Sequence, residues 1–127
     1  MGFPSDLPDP DCSIFDSGSN DVERCGLILE RDDGSTYVHE VPNRSYNPRR
    51  SFVIWVSDTH RVPRGSNRIV GIIHTHPYRG VRAASQFDLD SIPKGLVGIV
   101  YHPSSGSKVW YRRNEVLHEH MTRRRSR

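Results

Sequence analysis

The chain has 127 residues, 34% of them hydrophobic and 26% charged, which suits a single soluble domain with one hydrophobic core. Its longest apolar stretches run a few residues, far short of the ~20 needed to span a bilayer. Its first residues carry Pro4, Pro8 and Pro10 rather than the apolar core of a secretory leader. Much of the net charge of +3 sits in Arg123, Arg124, Arg125 and Arg127, with a second cluster at Arg44, Arg49 and Arg50. No aromatic platform or helix-turn-helix pattern lies beside these runs, so a solvated tail is expected first, docking on an acidic protein surface next, and nucleic-acid binding last.

Residues 1–20 are rich in Pro, Asp, Ser and Gly and read as an extended arm with at most one turn of helix. Strands are expected at Cys25–Glu30 and Tyr37–Val41, joined through the hairpin signal Asp32-Asp33-Gly34. Asn43–Arg50 is a polar loop, and the aromatic, β-branched Ser51–Val56 predicts a third strand, with Ser57-Asp58 capping a short turn. Arg68–Thr75 reads as a buried strand, followed by a loop over Tyr78–Ala84 and a short helix near Ser85–Ser91. Strands at Leu96–His102 and Lys108–Arg112 form a second hairpin around Pro103–Gly106, and beyond Asn114 the chain turns polar. There is no internal repeat. The layout is α/β (α+β): one domain with a mixed, largely antiparallel sheet and short helices, from residue 21 to 113, between the arm (1–20) and a polar basic tail (114–127). Cys12 and Cys25, two thiols in a chain without an export signal, are expected to be reduced.

Chemistry concentrates between Ile73 and Leu89, where His74-Thr75-His76-Pro77 is followed by seven residues and then Ser85-Gln86-Phe87-Asp88. Residues two apart on a strand project to one face, so both imidazoles aim at one point while Thr75 faces away. Pro77 removes a backbone donor and ends the ladder. On the helix that follows, Ser85 and Asp88 share a face. Two His and one Asp make three nitrogen and oxygen ligands, the set of a catalytic zinc that keeps its fourth position for water; structural zinc sites close that position and are usually rich in Cys. Hydrolysis there also needs a carboxylate beside the metal that is not a ligand. Glu23, Glu30 and Glu40 all lie upstream, and spacing does not separate them.

Bland alternatives exist for each residue. A His at a strand end is usually a surface or hydrogen-bonded residue, though the paired spacing with Pro, Ser and Asp in register favours metal. Ser85 could be the helix N-cap with Asp88 completing a capping box, a role compatible with chemistry. Glu23 could be a solvated strand-end charge. Cys25 packs as a small hydrophobe, since no base accompanies it. His118-Glu119-His120 spaces two imidazoles in polar surroundings without further ligands, and Tyr101-His102-Pro103 reads as an ordinary strand end.

The Glu23-Arg24-Cys25-Gly26 opening, the His-x-His-Pro and the Ser-x-x-Asp after seven residues resemble the JAMM (MPN-domain) zinc metallopeptidases, a family of deubiquitinating isopeptidases and bacterial, archaeal and phage enzymes. The resemblance covers Asp21 to Tyr111. It implies an MPN (cytidine-deaminase-like) curved sheet, one Zn2+ per chain on His74, His76 and Asp88, Glu23 as general acid/base and Ser85 as a donor to the oxyanion. The implied activity is hydrolysis of a peptide or isopeptide bond in a protein or peptide substrate. The compact layout looks most like prokaryotic and phage members, including the peptidase domain of phage tail-assembly proteins of the lambda K type. The expected setting is therefore the cytoplasm of a bacterial or phage-infected cell, or the virion, without membrane attachment. The alternative is a structural or assembly component of a phage tail or other complex that keeps the fold with little or no peptidase activity. One departure stands out: a long helix usually precedes the Glu, and the Pro- and Gly-rich residues before Glu23 do not supply it. Another chain or the N-terminal arm covers that face, or the domain is minimal. The short span from Glu23 to His74 leaves no room for the insertions that grip ubiquitin chains, so ubiquitin specificity is unsupported.

Overall fold

β1 (Cys25–Arg31) and β2 (Thr36–Val41) form an antiparallel hairpin, and Gly34 in its turn has a φ of +86°, which a residue without Cβ adopts at no steric cost. The structure is a computed structural model that describes residues 3–77 and 84–121. β3 (Ser66–Thr75) lies antiparallel on the other edge of β1, and β4 (Val97–His102) runs parallel to β3. β5 (Ser107–Arg112) and β6 (Glu115–His120) extend the sheet antiparallel, giving the order β2-β1-β3-β4-β5-β6. Two short helices, α1 (Val56–Thr59) and α2 (Gln86–Ser91), complete an α+β layout. A parallel pair needs a crossover, and the crossover from β3 to β4 carries α2, so it brings that helix back beside the end of β3. No helix among the described residues is long and apolar enough to cross a membrane.

Alternation along the strands sorts the core onto two faces. On one, Ile28, Ile73, Ile99, Tyr101 and Trp110 pack against Cys12 and Phe15 of the N-terminal arm. Full burial of Phe15 contributes roughly 1.5–3 kcal/mol. The Trp110 indole donates to Pro8 O at 2.7 Å, the Tyr101 hydroxyl to Asp16 at 2.5 Å, and Lys108 to Asp9 at 3.0 Å. The arm, whose one 3-10 turn spans Ser13–Asp16, therefore covers this face of the sheet. Of the three arrangements the sequence left open there, this is the one observed.

The opposite face carries Cys25, Leu27, Leu29 and Val41 under Phe52, Ile54 and Val62, and beside them Val100, Val109 and Tyr111 under Leu89 and Ile92. The pairing of Cys25 with His74 and of Leu27 with Ile72 puts His74 on this side. Further along, β3 bulges twice: Ile28 pairs with Gly71 but Leu29 with Ile69, and Glu30 with Arg68 but Arg31 with Ser66, so Val70 and Asn67 are extra residues. Gly98 pairs with Tyr111, and the Tyr111 ring lies where a Cβ on residue 98 would project.

Three expectations need correction. Ser51–Val56 is not a third strand: residues 51–55 join no sheet, and the Ser51 carbonyl and both backbone groups of Val53 bond to Asn43 and Arg44 instead. α1 starts within the expected strand, at Val56, and Asp58 does not cap it but pairs with Arg44 at 3.0 Å. The polar tail expected from Asn114 begins instead with β6, an edge strand whose faces are mostly exposed and hence polar. The expected loop at residues 78–83 and the basic run from 122 to 127 lie outside the described residues.

Both cysteines are free and buried. Burial pushes the Cys12 thiol up to about 11 and the Cys25 thiol up to about 12, so almost no thiolate exists at pH 8. Iodoacetamide at that pH is expected to leave both unlabelled in the folded protein and to modify both after denaturation, read by intact mass. Fast native labelling of Cys12 would show that the arm lifts from the sheet.

Candidate metal centre

The site forms where β1 and β3 end side by side. Cys25 pairs with His74, and two further bonds continue past the ladder: Thr75 N–H donates to Arg24 O at 2.8 Å, and Arg24 N–H donates to Thr75 Oγ1 at 2.9 Å. His76 N–H donates to Tyr101 O at 3.1 Å, which keeps the second His in the extended line beyond Thr75. Both imidazoles consequently reach the face away from the arm, where α2 arrives. Ser85 is the N-cap of α2: its Oγ accepts from Asp88 N–H at 3.1 Å, and Asp88 Oδ2 accepts from Ser85 N–H at 2.9 Å. This capping box locks the Asp88 carboxylate in place.

His74 Nε2 lies 3.1 Å from His76 Nε2, and Asp88 Oδ2 lies 3.4 Å and 3.6 Å from the two. A four-coordinate ion with bonds of about 2.0–2.2 Å spaces its ligands about 3.3–3.6 Å apart; the two carboxylate spacings fall in that range, and the 3.1 Å between the rings falls a little below it. The rival is a proton shared between the rings with Asp88 as their partner. The carboxylate distances exceed ordinary N–H···O bonds, which favours a cation among three lone pairs. His74 is fully buried and stacks on Phe52, ring centroids 4.3 Å apart. That burial pushes its pKa down, so the ring is neutral and fit to ligate at neutral pH. Burial also pushes the Asp88 carboxyl up, but the contacts with His74 and His76 and the Ser85 amide outweigh it and hold the group well below the usual carboxylate range. Neither Nδ1 has a hydrogen-bond partner among the described residues; packing on Phe52 is what orients His74.

Glu23 sits beside this triangle. It is buried, and with His74 and His76 it forms a group whose ligand atoms lie within 4.8 Å of one another and which could hold a metal ion. Asp88 Oδ2 reaches the same two rings at 3.4 Å and 3.6 Å, so two imidazoles and two carboxylates are available to an ion at this place. Burial pushes Glu23 up to about 7, His76 opposing the rise and Asp88 adding to it. Its backbone is held at both ends: its N–H donates to Pro48 O at 2.7 Å, and Asn43 Nδ2 donates to its carbonyl at 2.8 Å. The other two upstream carboxylates are engaged elsewhere, Glu40 with Arg24 at 2.7 Å and Glu30 with Arg68 at 2.9 Å.

All five residues singled out from the sequence, Glu23, His74, His76, Ser85 and Asp88, thus meet at one place. Glu23, His76, Ser85 and Asp88 line a cavity of about 410 Å³ together with Arg50, Ser51, Phe52 and Phe87. Phe52 and Arg50 were not picked out, since nothing local marks a loop residue as the wall of a distant site. A larger cavity of about 520 Å³ lies by the other end of β3, but Glu30, Arg68 and Asp9 on its walls are already paired. The two set-aside histidine runs stay apart from the cluster: His118 packs against Phe3 and Trp110, and His102 Nδ1 bonds the Ser104 hydroxyl.

No family model and no curated protein matches the chain. Among solved structures it is similar to the solution structure of protein DSY2949 from Desulfitobacterium hafniense, with a TM-score of 0.51 and 20% identity over 79% of this chain and 76% of that one. At that identity the likeness concerns the fold alone.

Proposed function

We propose that the chain is a zinc-dependent hydrolase of peptide or isopeptide bonds, of the JAMM type and with an MPN-type fold. The observation that carries this reading is the triangle of 3.1, 3.4 and 3.6 Å between two imidazoles and a carboxylate, with a second buried carboxylate beside it. His74, His76 and Asp88 would hold the ion. Zinc bound there lowers the pKa of water to about 7 and polarises a carbonyl oxygen.

The remaining steps belong to the chain's own side chains. A carboxylate whose pKa lies near the working pH exchanges protons best, so Glu23 takes the proton from the attacking water and passes it to the leaving nitrogen. The Ser85 hydroxyl accepts from Asp88 N–H and keeps its own hydrogen free to donate to the developing oxyanion. Ser85→Ala is expected to lower kcat about 10²-fold or more and to weaken the cap of α2 by about 1 kcal/mol, with zinc still bound. Unchanged turnover in that variant would remove Ser85 from the mechanism.

The decisive experiment pairs a zinc count by native mass spectrometry with digestion of a peptide library. One zinc per chain and cleavage that Glu23→Gln abolishes is the expected result. Stoichiometric zinc without cleavage of any peptide would point instead to an assembly component that keeps the metal.

A further inference from the structure

A second cavity adjoins the metal centre. It has a volume of about 280 Å³ and shares Phe52, Phe87 and Asp88 with the first, so the two border each other at Asp88. Its further walls are mostly apolar, from Ile54, Ile72, Ile92 and Tyr111, with Ser91 at the rim, and Asp88 is the one charged side chain among its described lining residues. Phe87 stands at the boundary between the cavities and is 69% exposed although it is a large apolar residue on the first turn of α2. The bland reading, one stray surface aromatic, leaves unexplained why the apolar walls converge at the metal ligand.

We infer that this second cavity is the subsite that takes one large apolar side chain of the substrate, next to the bond being cut. The inference rests on the proposed hydrolase reading and names its substrate preference. Size decides what fits: an apolar cavity of about 150 Å³ accommodates benzene, so about 280 Å³ has room for one branched aliphatic or aromatic side chain and not for a folded segment. Chemistry decides what is refused. A charged side chain would lose its hydration against Ile54, Ile72 and Ile92, and a second carboxylate would also meet Asp88. A residue held there places its backbone carbonyl across Asp88, on the side lined by Glu23 and Ser85.

The test uses the zinc-loaded full chain and two chelating probes, acetohydroxamate and isocaprohydroxamate, which share a zinc-binding head and differ in a branched aliphatic tail. Calorimetry is expected to show isocaprohydroxamate binding about tenfold tighter or more, the scale by which apolar pockets discriminate small changes. Ser91→Trp fills the cavity from its exposed rim; it is expected to erase the advantage of the tail while leaving acetohydroxamate affinity unchanged, which also reports that the variant is folded. Equal affinities in the wild-type chain overturn the subsite and leave the metal reading standing. An advantage that persists in Ser91→Trp overturns it too, because the tail then binds elsewhere. A chain that takes up no zinc overturns the hydrolase reading and this inference with it.

Discussion

Glu23→Gln is expected to retain one zinc per chain while kcat falls about 10²–10⁴-fold, the range that one positioned acid/base supplies. The substitution keeps the size of the side chain, and it keeps the bonds from Glu23 N–H to Pro48 and from Asn43 to the Glu23 carbonyl, which use only the backbone of residue 23. It changes only whether the group accepts a proton. The pH profile gives an independent reading. In the proposed mechanism Glu23 acts as a base, so the wild-type kcat/KM is expected to fall as pH drops through its pKa. Without metal that value is about 7, raised by burial, and a cation a few ångströms away favours the carboxylate and moves the limb to lower pH. The acid limb assigned to Glu23 disappears in Glu23→Gln. Full activity in that variant, with an unaltered acid limb, would reject the assignment.

Asp88→Ala is expected to act on the metal far more than on the fold. It removes one of three ligand atoms, so zinc affinity should drop by more than the ten- to hundredfold that is typical for loss of a supporting partner. It also removes half of the α2 capping box, worth about 1 kcal/mol. Thermal unfolding separates the two effects. With zinc at about 1,000 times its Kd, binding stabilises the wild-type chain by about 4 kcal/mol, or about 10 °C or more in Tm. The variant should lose nearly all of that shift, and with both proteins stripped of metal it should melt only about 3–6 °C below wild type, the share of the lost cap. A variant that kept the full zinc-dependent rise in Tm would mean that the ion lies among other groups, such as the Glu23, His74 and His76 set.

The residues whose geometry follows from local periodicity were legible in the chain itself. His74 and His76 share a face because strand side chains alternate, and Ser85 and Asp88 meet because a helix N-terminus pairs positions three apart. Glu23 was not separable by spacing from Glu30 and Glu40. Pairing of β1 with β2 and β3 separates them, since Arg24 takes Glu40, Arg68 takes Glu30, and Glu23 is left beside the imidazoles. Residues 51–55 were misread for a related reason: an aromatic, β-branched run signals a half-buried extended surface, not that another strand will pair with it. β6 was missed because an edge strand exposed on both sides has no hydrophobic alternation to detect.

Sequence alone therefore determined which side chains could chelate, their order along the chain and the local element that carries each, because strand and helix periods depend only on neighbouring residues. Tertiary structure decided that the end of β3, the start of β1 and the cap of α2 coincide, that the arm rather than a long helix covers the opposite face, and that Phe52 walls the cavity. Those outcomes depend on pairing and packing between residues far apart in the chain, which no local pattern encodes.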